Sequence, residues 1–319
     1  MKKVLIIRFS SIGDIILTSP IIRCVKLQTQ AKLHFLIKAQ YVSIVESNPY
    51  IDKIIVFKES LRDLINSLKV EEYDYIIDLQ NSIRSYWVKR SLMLKSYTVK
   101  KKSWQKILFI YFGYNLLNDH VVDRYFRSIK QLNILNDLEG LDYFISNNIN
   151  FKLDVDGKFL VWCIGASHEQ KTLSVHQIVQ VCNKLIVPCV LLGGKDEFGK
   201  GESVVQETRN KKVFNMCGKL SLDESSYYIQ QSDLVLTGDT GLMHIAAAFQ
   251  KKIISFWGCT KPQLGFPPYM ADKHSVELVF QPHHRPCSKH GDYCRTSKGG
   301  CVKKIDPEEI KKLIVEYCQ

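Results

Sequence analysis

The chain has 319 residues, 45% hydrophobic and 24% charged, ordinary values for a soluble globular protein. That length exceeds what one compact core normally carries, so two domains are expected. It also excludes a disulfide miniprotein despite the ten cysteines, and no run reaches the ~18–20 apolar residues of a membrane span. The net charge is +12. Residues 1–150 hold 22 Lys+Arg against 14 Asp+Glu, and the remainder 22 against 18, so the excess is +8 and +4. A basic first half points to an anionic partner (a phosphorylated glycolipid, a membrane surface or nucleic acid), with a generally basic proteome as the plain alternative.

Met1-Lys2-Lys3 precedes an apolar run of only four residues with no small-residue cleavage site after it. Val4–Arg8 therefore reads as the first buried strand of a cytoplasmic protein. Asp14–Leu27 has helical spacing, Leu33–Ile37 and Lys53–Phe57 are strands, and Leu61–Lys69 is a helix. Tyr75–Leu79 is a strand, Ile83–Leu92 a helix and Lys95–Lys100 a short strand; Gln105–Phe112 and Arg124–Leu132 read as helical. Such βα alternation implies a mostly parallel sheet with helices on both faces. Residues 137–157 are rich in Asn and Asp and form the best linker candidate. The rhythm then restarts: strand Phe159–Ile164, helix Ser174–Leu185, strand Val187–Leu192 closed by Gly193-Gly194, helices Glu197–Thr208 and Leu222–Gln231. Residues 259–304 read as irregular, and Pro307–Tyr317 as a closing helix with Asp306 as N-cap. The division expected is 1–150 and 151–319, with packing of the final helix back on the first domain as an option.

Two turns carry chemistry. Residues 234–258 read as strand, turn, small-residue helix and strand, with Thr237-Gly238-Asp239-Thr240-Gly241 as the turn. Ligands of open α/β sheets bind at such strand ends, and a helix N-terminus attracts phosphate. His244, four residues after Thr240, lies on the same helical side. A plain N-cap and turn explain the same residues. The first strand-to-helix turn, Arg8 to Pro20, lacks both Gly-x-Gly-x-x-Gly and a Walker-type Gly-Lys-Ser/Thr. What remains is Gly13-Asp14 at a helix start, where Asp14 reads either as a general base for a sugar hydroxyl or as a residue favoured by the helix dipole. Arg8 reads as a local ion-pair partner or a contact to an anionic substrate.

Taken together, the two turns resemble glycosyltransferase family 9, the ADP-heptose:lipopolysaccharide heptosyltransferases. Arg8, Gly13, Asp14, Thr18 and Pro20 match its Arg-x-x-x-x-Gly-Asp-x-x-x-Thr-x-Pro pattern. Asp239, Thr240, Gly241, His244, Ala247 and Ala248 match its Asp-Thr-Gly-x-x-His-x-x-Ala-Ala block. The resemblance implies an α/β fold of GT-B type, two Rossmann-like domains facing across a cleft, with the acceptor held by the first and the nucleotide-sugar by the second. It implies an inverting, metal-independent transfer with ADP-sugar as donor and no cofactor. Asp14 is then the catalytic base, and Lys171 neutralises the diphosphate with help from Ser167. Glu197, or Asp196 in its place, holds the ribose; Leu220 lines the adenine pocket; Asp239, Thr240, Gly241 and His244 contact diphosphate and sugar. Two departures stand out: Leu173-Ser174 follows Lys171 where Trp-Pro is frequent, and Cys259 stands after Gly258 where Pro is common.

Arg8, Arg84, Lys101 and Arg124 are the acceptor-binding candidates among the basic groups of the first half, which suit the phosphates of a lipopolysaccharide core or the inner leaflet; a solvated face is the alternative. Tyr86, Trp87, Trp104 and Tyr111, interleaved with them, are expected to pack in the core, with sugar stacking or an interface as the other readings. Most remaining cysteines, Cys259 included, read as buried thiols. Cys287-x6-Cys294-x6-Cys301 with His290 is a weak metal candidate, because the spacing is not Cys-x2-Cys; free thiols or a disulfide remain open. The location implied is cytoplasmic, with peripheral contact with the inner membrane as an option, and no nucleic-acid partner is expected. A nucleotide-sugar epimerase of the same shape and a non-catalytic module binding anionic glycolipid are the competing readings.

Overall fold

The computed structural model describes residues 1–146, 155, 157–280 and 284–318. In chain order the first half runs β1 (Lys3–Ile7), α1 (Ile12–Ile16), α2 (Ser19–Thr29), β2 (Lys32–Lys38), β3 (Lys53–Phe57), α3 (Leu61–Val70), β4 (Tyr75–Asp78), α4 (Ile83–Leu92), β5 (Ser96–Thr98), α5 (Ser103–Phe112) and α6 (Val121–Ser128). The second runs β6 (Leu160–Cys163), α7 (Val175–Cys182), β7 (Cys189–Leu192), α8 (Phe198–Glu207), β8 (Val213–Asn215), α9 (Leu222–Gln231), β9 (Leu234–Gly238), α10 (Gly241–Ala248), β10 (Ile253–Trp257), β11 (Val276–Val279) and α11 (Pro307–Cys318).

These elements form two compact units. The first is Met1–Lys102 with Asp119–Ser146; the second is Ser103–Asn118 with the described part of Asn147–Gln319. Residues 103–118, from the first half of the chain, therefore group with the second unit. Their apolar side explains this: Phe109 and Leu117 pack with Leu264 and Phe266, and Arg295 donates to the Ile110 carbonyl at 2.9 Å.

The first unit is a five-stranded parallel sheet in the order β3-β2-β1-β4-β5. β1 is central and apolar on both faces, as strands covered on both sides must be. Val4 pairs with Leu33 on one side and Tyr75 on the other. The stretch 14–27 is not one helix as its periodicity suggests. It breaks between α1 and α2, because Pro20 lies in the first turn of α2; Thr18, at the N-cap position, turns its hydroxyl back to donate to the Ile15 carbonyl at 2.6 Å. The first part of the expected linker is held in place instead of running free. The Arg23 guanidinium of α2 pairs with Asp137 at 2.7 Å and also with Asp142, and donates to the Gly140 carbonyl. Residues 147–154 and 156 of that linker lie outside the described residues.

The second unit is a six-stranded parallel sheet in the order β11-β10-β9-β6-β7-β8. Trp162, Leu191, Leu236, Phe256 and Ile178 lie in its core. The closing helix packs into this same core through Ile310 and Ile314, where Gln177 Nε2 donates to the Ile305 carbonyl at 2.8 Å. β8 and β11 escape sequence reading: they are three- and four-residue edge strands, too short for a periodic signal. The region 259–304 is accordingly not wholly irregular. Strand order reverses between β1 and β4 in the first unit and between β6 and β9 in the second, and ligands of such sheets bind beyond the strand ends at that reversal.

Candidate active site

In the first unit, Arg8 follows β1 and sits at the reversal. Its guanidinium donates to the Leu79 carbonyl beyond β4 at 2.6 Å, to the Ser10 carbonyl at 2.8 Å and to the Tyr125 hydroxyl at 3.2 Å. Its remaining nitrogen Nη2 pairs with Asp14 Oδ2 at 2.7 Å. Burial works against the Arg8 charge, but Tyr125, Asp14 and Asp78 outweigh it and push its pKa up. Asp14 lies in α1, and its Oδ2 also accepts from the Ser11 hydroxyl at 3.0 Å. A carboxylate so placed has the chemistry of a general base.

In the second unit the reversal is bridged in the same manner. Lys171 follows β6, Asp239 follows β9, and Lys171 Nζ lies 2.6 Å from Asp239 Oδ2. Register brings these loops together, since Cys163 pairs with Thr237. Gly238 lets them approach: a Cβ there would stand 3.0 Å from the Lys171 carbonyl oxygen. Thr240 caps α10, its hydroxyl accepting from Met243 N at 3.4 Å and lying 3.2 Å from that of Thr237. Gly241 and His244 belong to α10, and His244 is 3% exposed. A lysine ammonium beside the free N–H groups of a helix N-terminus is a cradle for a diphosphate.

Glu197 lies over the turns after β6 and β7. Its Oε2 accepts from Gly194 N at 2.8 Å, and a Cβ on Gly165 would come within 2.6 Å of its carboxyl carbon. Ser167 is exposed, Asp196 is exposed and Leu220 is half-buried.

A profile of glycosyltransferase family 9 (heptosyltransferase) matches residues 61–296, well over half the chain. The chain belongs to this family. A relative similar along the full length is lipopolysaccharide heptosyltransferase 1 of Campylobacter coli, 23% identical and covering 98% of both chains. The structure of E. coli ADP-heptose lipopolysaccharide heptosyltransferase II superposes with a TM-score of 0.75 at 18% identity, over 99% of this chain and 98% of that one. That of E. coli heptosyltransferase WaaC with ADP gives 0.74 at 16%, over 99% of each. At such identities the structural likeness establishes the fold: two Rossmann-like α/β units of GT-B type. As a family 9 member the chain is a glycosyltransferase.

The structure separates the basic candidates of this family 9 chain. Arg84 and Lys101 are exposed. Arg124 is buried instead of lying on an open basic face. It pairs with Asp119 at 2.9 Å, and Arg127 and Lys102 join the same carboxylate. Three cations hold Asp119 well below the usual carboxylate range against the opposing effect of burial. The aromatic expectation is overturned: Tyr86, Trp87, Trp104 and Tyr111 are all more than half exposed. α5 turns Lys106, Phe109 and Ile110 inward, so helical geometry forces Trp104, Ile107 and Tyr111 out.

Two features were missed from the sequence. Lys200 Nζ donates to the Ile164 carbonyl at 3.1 Å beneath the loop leading to Lys171, and burial, with Lys303 nearby, pushes its pKa down to about 8. Cys259, read as an isolated buried thiol, joins Cys287, Cys294 and Cys301 in one cluster, whereas His290 is exposed and outside it. The displacement of the usual proline at 259 was the available signal.

Proposed function

We propose that this chain moves a heptose from ADP-heptose to a lipopolysaccharide-core or related acceptor by an inverting displacement that needs no metal at the sugar. The observation that carries the reading is the Lys171–Asp239 pair at the strand reversal, in front of the α10 N-terminus. Similarity to heptosyltransferases supports the sugar, and the similar structures of an ADP-heptose heptosyltransferase and of a heptosyltransferase with ADP support ADP as the nucleotide.

Asp14 takes the proton of an acceptor hydroxyl as its oxygen attacks the anomeric carbon. The bond to the diphosphate breaks on the opposite face, which inverts the configuration, and ADP leaves with the bonding electrons. Lys171, Thr240 and the N–H groups opening α10 stabilise the charge that develops. Ser167 adds a hydroxyl to the diphosphate, Glu197 or Asp196 holds the ribose, Leu220 lines the adenine pocket, and Gly241 and His244 contact the diphosphate and sugar. Arg84 and Lys101 hold the acceptor's anionic groups. No helix among the described residues is long and apolar enough to cross a membrane. The outward aromatic face of α5 supports peripheral contact with the inner leaflet.

The test is turnover of ADP-heptose with and without a lipopolysaccharide-core acceptor, alongside calorimetric titration with ADP. Acceptor-dependent release of ADP, with inversion read by NMR of the product, supports the reading. Acceptor-independent epimerisation, or no binding of any ADP compound, overturns it.

A further inference from the structure

Outside the transfer machinery the second unit holds four thiols on one small volume. Cys259 follows β10, and Cys287, Cys294 and Cys301 come from the loop that leads to α11. Their sulfurs all lie within 4.8 Å of one another. Cys294 Sγ is 3.3 Å and Cys287 Sγ 3.7 Å from Cys301 Sγ. Four sulfurs placed tetrahedrally at ~2.3 Å around one ion stand roughly 3.8 Å apart, so the spacing is that of a tetrathiolate shell, not of disulfides bonded at ~2.05 Å. The backbone supports the sulfurs as it does in such sites: Cys301 N donates to Cys259 Sγ at 3.4 Å, and Cys287 N to the Cys259 carbonyl at 2.8 Å.

We propose that Cys259, Cys287, Cys294 and Cys301 bind one divalent metal ion of the thiolate-seeking class, zinc or ferrous iron, as a structural site. The four thiols give up their protons on binding, and no ligand position stays open for chemistry. The ion pins a loop that has little regular structure of its own. That loop backs onto the Lys171 segment: a Cβ on Gly300 would lie 2.4 Å from the Gln170 carbonyl oxygen, and one on Gly291 would lie 2.6 Å from the Lys171 side chain. The site therefore positions Lys171 from behind, a consequence that rests on the donor role proposed for that lysine.

The test is metal analysis of the full chain purified without chelator or added metal, with one zinc or iron per chain expected. Iron shows thiolate-to-metal absorption after oxidation; zinc is silent, and cobalt exchanged in its place shows tetrahedral thiolate bands. A mercurial titrating the thiols of the intact protein should release the ion in step with thiol capture. Cys287→Ser with Cys294→Ser should lose the ion and lower the thermal midpoint. If these variants fail to fold, mercurial release from the unaltered protein still decides. Metal-free protein with four titratable thiols, or a disulfide between any two of them, overturns the site. Full metal content with ADP binding unchanged after metal removal keeps the site but overturns its link to Lys171.

Discussion

Lys171 and Asp239 meet at 2.6 Å across the strand reversal of the second sheet, one from the loop after β6 and one from the turn after β9. The carboxylate holds the ammonium before the α10 N-terminus, the place proposed for the diphosphate. Lys171→Ala should lower kcat by about 10²–10³, the usual effect of losing one preorganised donor of positive charge. Steady-state kinetics with ADP-heptose check this. An unchanged kcat would remove Lys171 from the transition state.

Asp14→Asn keeps the shape of the Asp14 side chain but removes its basicity and its ion pair with Arg8. Turnover should fall by about 10²–10⁴, the range of a general base, while ADP affinity measured by calorimetry stays within twofold. Equal loss of binding and turnover would mark Asp14 as a structural residue of the first unit.

Lys200 carries a pH signature. Its folded pKa of about 8 lies below the ordinary 10.5, so the folded chain holds fewer protons than the unfolded chain between those values. Stability contributed by this group therefore rises with pH across that window. Lys200→Met should stabilise by about 1 kcal/mol at neutral pH, after discounting for partial exposure and the lost bond to Ile164. The gain should fade as the pH climbs towards 10.5. Denaturant melts of both proteins at pH 7 and pH 10 give the comparison.

Arg23 is expected to matter for stability, not turnover. It holds Asp137 and Asp142 together, and its hydrogen bonds press the Asp137 pKa down to about 2. That carboxylate's contribution is complete above its unfolded value near 3.8 and is lost as pH falls through 2. Arg23→Ala strands two partly buried carboxylates, at a cost of about 3–5 kcal/mol. Equilibrium denaturation at pH 7 measures it.

α5 presents Trp104, Ile107, Tyr111 and Phe112 outward. Replacing Trp104 and Tyr111 together with Ala should weaken sedimentation with anionic vesicles while leaving thermal stability within about 0.5 kcal/mol per site. Unaltered vesicle binding would assign these aromatics to something other than a lipid surface.

Much of this was legible beforehand. β10 and α3 fall where the apolar patterns put them, because a strand buried on both faces must be continuously apolar and a helix on a sheet must repeat near 3.6. The Asp239–His244 block could be placed at a strand end because only a turn and a helix start fit its residues. Less readable were β8 and β11, too short to show a period, and the split between α1 and α2, hidden by an apolar pattern that runs across it. The outward aromatics of α5 were misread because hydrophobicity alone does not say which face is covered.

What the linear chain determined is local: strand and helix identity, the two turns, and through them the family. Those depend on neighbours three or four residues apart. Only tertiary structure decided that Lys171 meets Asp239, that Arg8 spans β1 and β4, that residues 103–118 join the second unit, and that Cys259 completes a cluster with cysteines 28 to 42 positions further along. Each of these depends on which strands lie side by side in a parallel sheet. Strand order comes from burying every apolar face at once, a condition on the whole chain that no short segment carries.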